Sequence, residues 1–125
     1  MKRFLLSGMA ALAVLCMLVG TSFAASTVKV NVKGVLLDMN CYSAHGLMNR
    51  AHGKSCGKAC MLKGLPAGIL VKGHAWTLVV NSRLLANYVG LKAQVIGIAN
   101  RKTNVVIPSE IKVDEHGKYT KIKIK

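Results

Sequence analysis

Cys41, His52, Cys56 and Cys60 are the residues of this sequence best suited to chemistry: three soft sulfurs and one imidazole within twenty positions. Thiolate and imidazole are the donors that zinc and copper(I) take up, so the set is a candidate site for either ion. Asp38, His45 and His74 are the residues expected to stand behind it. Spacing limits the idea. In one continuous helix His52 and Cys60 would be eight rises apart, roughly 12 Å, too far to share an ion comfortably. The site therefore asks for His52 to precede the helix and fold back. The same sulfurs can instead pair oxidatively. Cys56 and Cys60, one turn apart with nearly parallel side chains, make a poor disulfide. Cys41 with Cys56 or Cys60 is the better pair, leaving one thiol free. A free Cys56 at a helix N-terminus would be the reactive thiol of a redox protein, with Cys60 or Cys41 to resolve it. Neither the C-x-x-C of a thioredoxin-type centre nor the C-x-x-C-H of haem attachment is present.

The start of the chain sets the compartment in which these thiols are expected to act. Lys2 and Arg3 precede an almost wholly apolar run, Phe4 to Val19, and Ser22-Phe23-Ala24 places small residues where a signal peptidase reads. The run is short of the roughly 20 residues a spanning helix needs. Residues 1–24 are therefore read as a signal peptide, and the chain as exported, periplasmic or secreted, with no transmembrane segment after cleavage. Cys16 would leave with the leader, so three cysteines remain. In an oxidising compartment cysteines pair, and an odd number leaves one free, shared between chains or bound to metal.

The elements that must position these residues are short. Val28, Val30 and Val32 alternate with Lys29, Asn31 and Lys33, a half-buried strand that continues to Asp38, with Gly34 as a bulge or bend. Residues at about 38–64 lose the alternation and form a Cys/His-rich loop. Ser55 can cap a short helix from Cys56 to Lys63, with Gly64 and Pro66 ending it. Two strands, Ile69–Val71 and Ala75–Asn81, flank a turn at Lys72-Gly73-His74. Ser82 can cap a second short helix through Leu84, Leu85 and Tyr88, stopped by Gly90. Strands follow at Leu91–Asn100 and Asn104–Val113, the latter with an edge or bulge at Pro108, and a last strand opens at Lys118. Trp76 reads as core. Residues 25–125 thus form one domain: mainly β, a small OB-like partly open barrel of five or six strands with one or two short helices.

Gly34-Val35-Leu36-Leu37-Asp38 followed by Cys41-Tyr42, then His52, Cys56 and Cys60, and later Leu91-Lys92-Ala93-Gln94-Val95-Ile96-Gly97, resembles a group of small exported bacterial proteins with an OB-like domain. Their pattern is a strand ending D-x-x-C-Y/F, then H-x3-C-x3-C, then a strand of the form Gly-Lys-x-Val-x-Val-x-Gly. This chain has Leu91 before Lys92 where that strand has glycine, with Gly90 one position away. The resemblance implies the fold and export, not an activity.

Charge narrows the remaining function classes. The chain carries 18 Lys and Arg against 4 Asp and Glu. Removal of Lys2 and Arg3 would lower the net charge of +14 by two, to +12. Such a balance favours an anionic surface or polymer as partner: a membrane surface, a cell-wall polymer or nucleic acid. The lysines are scattered, and Lys118, Lys121, Lys123 and Lys125 form the one dense run, so these are the candidate contacts. With Asp38, Glu110, Asp114 and Glu115 as the only carboxylates, paired-carboxylate catalysis has little material, and there is no nucleophile-triad or phosphate-loop motif. Met39, Met48 and Met61 can serve copper, but isolated methionines are more often packing residues. The expectation is a non-enzymatic exported binding domain whose Cys/His loop is held by a disulfide or holds zinc or copper. A basic polyanion-binding module is the alternative, and a thiol-redox protein a further one.

Overall fold

The structure is a computed structural model that describes residues 26–125. The expected signal peptide at 1–24 lies outside the described residues. Six strands are present: β1 (Thr27–Asp38), β2 (Ala67–Val71), β3 (His74–Leu78), β4 (Lys92–Asn100), β5 (Val105–Glu115) and β6 (Lys118–Ile122). β1 pairs with both β2 and β4, β5 pairs with β4 and β6, and a short parallel pairing of β3 with β5 joins Thr77 to Val105 and Leu78 to Val106. Around the ring the order is β1-β2-β3-β5-β4 and back to β1, with β6 added outside on β5. That is an OB-like barrel of five strands plus one.

Alternation explains which faces close on each other. Leu36, Ile69, Leu78, Val95, Val106, Ile111 and Val113 point inward and are buried, while the lysines of β1, β4 and β6 point out. Trp76, expected in the core, is only half-buried and packs against its edge. Lys72-Gly73 and His116-Gly117 have positive φ and make two-residue turns, so His74 belongs to β3 rather than to the turn. Pro108 sits at the one register shift of the β4–β5 pair, where Ile96 faces Glu110 and Gly97 faces Pro108. Gly34 is not a bulge: the β1–β4 register runs through it unbroken. Its missing Cβ instead lets the Leu70 carbonyl come close, where β1 begins to pair with β2 as well.

The stretch between β1 and β2 is not a loop. It holds two helices, α1 (Met39–His45) and α2, a continuous helix made of Arg50–His52, a π-helical stretch Gly53–Gly57, and Lys58–Leu62. A 3₁₀ helix, Ser82–Tyr88, links β3 to β4. Two of the expected caps move. Asn49, not Ser55, caps α2, its side chain accepting from the His52 N–H at 2.8 Å. Ser55 lies inside the helix and donates to the Ala51 and His52 carbonyls. Asn81, not Ser82, caps the 3₁₀ helix; Ser82 is buried and donates to the Met61 carbonyl at 3.2 Å. No helix among the described residues is long and apolar enough to cross a membrane.

Candidate metal centre

The site forms where β1 ends and the two helices meet. Asp38 is buried at the last position of β1, and its carboxylate accepts from the Asn40 and Cys41 backbone N–H groups at 3.1 and 3.4 Å. That caps α1 and fixes Cys41 in its first turn, pointing inward. Gly46 ends α1 in the left-handed region, its N–H reaching the Tyr42 carbonyl at 2.8 Å. Seven residues are too few to hold a helix by propensity, so these two caps define it.

α2 supplies the other donors. Cys56 and Cys60 are four residues apart and share a face. The three Sγ atoms form a triangle with edges of 3.4 Å (Cys41–Cys56), 3.9 Å (Cys41–Cys60) and 3.9 Å (Cys56–Cys60). With zinc–sulfur bonds of about 2.3 Å, the edge of a regular tetrahedron is about 3.8 Å. The triangle therefore matches in size one face of a zinc–thiolate tetrahedron, and it suits trigonal copper(I) as well.

His52 completes a second group. Its ring lies with the Asp38 carboxylate and the Cys41 thiol, ligand atoms within 4.8 Å of one another. The His52 and Asp38 side chains are only 8% and 0% exposed, and Nε2 stands 3.9 Å from the nearer Asp38 oxygen. That is too long for a hydrogen bond, and Nε2 has no hydrogen-bond partner among the described residues. A buried polar atom left unpaired costs on the order of 1–3 kcal/mol, which a ligand would recover. The two groups, Cys41-Cys56-Cys60 and Asp38-Cys41-His52, share Cys41. His52 does not precede the helix as the spacing required. It sits in the first turn of α2 and meets the cluster through Cys41.

The remaining expected neighbours are elsewhere. His45 ends α1 and His74 opens β3, and both are exposed and outside the two groups. Met61 is fully buried in the core, Met39 packs on Gly68, and Met48 is exposed. Cys56 is in the middle of α2, not at its N-terminus, so no helix end activates it. All three sulfurs are thiols in this structure. Lys118, Lys121, Lys123 and Lys125 are exposed and lie on or beyond β6, on no part of this site.

What positions α2 was not legible as a site residue. Gly53 and Gly57 face Val89, just after the 3₁₀ helix, and a Cβ on Gly53 would overlap the Val89 carbonyl. Arg50 donates to that same carbonyl at 2.9 Å. The π-helical turn at Gly53–Gly57 keeps this glycine face on Val89 while the cysteines face Cys41. Such turns recur at functional sites because they re-aim side chains without ending the helix.

The Cys41 thiol is pushed well above the ordinary cysteine range by the adjacent Asp38 carboxylate first, then by burial and the two neighbouring thiols. Cys60 is also raised, chiefly by burial. A thiol that holds its proton more tightly folded than unfolded adds stability below the unfolded value, roughly 8.5, and that stability is lost as pH rises above it. Metal-free, reduced protein is therefore expected to lose stability from about pH 8.5 upward. Urea melts between neutral and alkaline pH, with chelator and reductant, check the slope, and Cys41→Ala should flatten it. A flat wild-type profile would contradict the assignment. With metal bound the sign reverses, because the ion displaces the thiol protons and binds more tightly as pH rises.

Comparison with known proteins finds no matching family model, no similar curated protein and no similar solved structure.

Proposed function

We propose that this chain is an exported, non-enzymatic domain that holds one soft metal ion on Cys41, Cys56 and Cys60, with His52, which meets the cluster through Cys41, moving in as the fourth donor when the ion binds. The observation that carries the reading is the triangle of sulfurs at 3.4–3.9 Å with an unpartnered, buried imidazole nitrogen near its Cys41 corner. Three thiolates and a neutral imidazole are the donor set of structural zinc sites. Without the imidazole the three sulfurs are a copper(I) site. Asp38 then accepts the two backbone N–H groups that hold Cys41 in place and lies behind His52.

A second reading uses the same atoms. Cys41 and Cys56 are the closest pair, and an oxidant that takes two electrons and two protons from them would join them and leave Cys60 as a thiol. Export would favour it. Disulfide and metal exclude each other, so one experiment separates them. Intact mass and thiol counting on protein from the export fraction are expected to show one zinc or copper per chain and three protected thiols. Chelation should then expose all three. A mass two units below the reduced chain, with one free thiol, would establish the disulfide instead. Three thiols equally reactive with and without added metal would remove both.

A further inference from the structure

The outer face of the barrel carries a feature that the thiol cluster does not use. On this face the register aligns Lys29 with Ile98 and Ile107, Asn31 with Ile96 and Glu110, and Lys33 with Gln94, Lys112 and Lys121. Directly paired residues of neighbouring strands point to the same side. The face is therefore an apolar centre with a lysine border. Ile98 and Ile107 are 48% and 58% exposed. With Ile96 and Pro108 they line a shallow groove of about 480 Å³, flanked by Lys29 and Lys125. Adjacent apolar side chains of this kind, unlike scattered single ones, mark a contact surface.

Little negative charge opposes the lysines there. Glu110 is held by Lys112 at 3.1 Å and by Lys121. Asp114 accepts from the Gly117 N–H in the β5–β6 turn. Lys33 lies over the Tyr119 ring, 5.5 Å from its centre, and so keeps its charge on this face.

We propose that this face docks the protein on an anionic phospholipid surface. The lysines meet lipid phosphates, and Ile98 and Ile107 enter the boundary beneath the headgroups. Of the anionic partners that the charge favours, a membrane surface is the one that satisfies both halves of the face. A nucleic acid or acidic polymer offers charge but nothing for the isoleucines. Single-stranded nucleic acid would need aromatic platforms, and Tyr119 is the aromatic side chain near this face. The contact surface is thus the β1–β4–β5 face with Lys121 and Lys125, rather than the lysine tail as a unit. It is independent of the thiol site.

The test is vesicle flotation. It compares phosphatidylcholine alone with phosphatidylcholine containing a minority of phosphatidylglycerol, using wild type and variants that all carry the same N-terminus. Wild type should float with the anionic vesicles only, and less so as salt is added. Ile98→Thr with Ile107→Thr keeps the β-branched shape, so strands persist, and should weaken binding about tenfold or more. Lys29→Gln with Lys125→Gln should weaken it about fivefold per charge. Lys54→Gln with Lys58→Gln, the same charge change on the exposed side of α2, should stay within about twofold of wild type. Thermal melts confirm that each variant is folded. Unchanged binding by the isoleucine pair would overturn the proposal, as would equal losses from the two lysine pairs. So would retention on heparin by a protein that leaves the vesicles behind.

Discussion

Cys41→Ser is expected to weaken metal binding more than the loss of any other ligand. Cys41 is the one residue shared by the thiol triangle and the Asp38–His52 group, so its loss dismantles both. Structural zinc sites are worth about 10–16 kcal/mol over four ligands, which assigns roughly 2.5–4 kcal/mol to each. At about 1.4 kcal/mol per tenfold, the affinity should fall between about sixtyfold and a thousandfold, with Cys41 at the upper end. Cys60→Ser leaves the Asp38, Cys41 and His52 group intact together with Cys56, and should cost less. His52→Ala should cost least of the ligands and shift preference from zinc toward copper(I), which needs only the three sulfurs. Competition against a chromophoric chelator measures all three variants. Cobalt(II) substitution checks the donor set, because thiolate-to-cobalt charge transfer scales with the number of sulfurs. Equal affinities for wild type and Cys41→Ser would place the ion somewhere else.

Gly53→Ala unfolds α2 from the barrel although it touches no ligand. The added methyl would overlap the Val89 carbonyl, a backbone atom that no rotamer change can clear. Relief requires the helix to move away, which also breaks the Arg50 hydrogen bond to that carbonyl. Forced overpacking of this kind costs roughly 3 kcal/mol. Gly64→Ala makes the comparison. It has a positive φ of 88° but open space around it, so only backbone strain of about 1 kcal/mol is expected. Urea melts order the two. Metal affinity should follow the same order, because Cys56 and Cys60 ride on α2. A Gly53→Ala variant as stable as wild type would show that α2 does not depend on this contact.

The contrast between those two glycines also explains what the sequence made legible. Val28, Val30 and Val32 against Lys29, Asn31 and Lys33 revealed β1 because a strand with one buried face writes its period into the chain. Lys72-Gly73 and Pro108 marked a turn and a bulge because their backbone demands are local. α2 was harder. Gly53 and Gly57 each weaken a helix by about 1 kcal/mol, so the stretch around them reads as loop. They are in the helix for the sake of Val89, a partner far along the chain that no local pattern announces. α1 was hidden for a related reason: Asp38 and Gly46 define it, and its seven residues carry no period of their own.

The candidate site divides in the same way. The donor types and the Cys56–Cys60 spacing were readable, and so was the company of Asp38. The route by which His52 joins the cluster was not. It depends on the π-helical turn and on the angle at which α1 meets α2, both of which follow from packing. The placement of Cys56 at a helix start failed because Asn49, seven residues earlier, offers a cap on the same principle as Ser55 and wins it.

The closure of the barrel bears on how the molecule fluctuates. The ladder between β3 and β5 consists of two parallel residue pairs, carried by the Thr77 and Val79 N–H groups at 2.9 Å from the Asn104 and Val106 carbonyls. The β1–β4 ladder, by contrast, runs from Thr27 to Val35 without a break. Sub-global opening follows the seam that costs least. The barrel is therefore expected to open first between β3 and β5, leaving a twisted sheet in which β1 stays paired with β2 and β4. The thiol cluster stands at the end of β1, where Asp38 faces Ala67 in the β1–β2 ladder, a ladder this opening leaves intact. An ion held there would stay clamped while the seam opens, its residence time set by the chemistry of its ligands rather than by the breathing of the barrel.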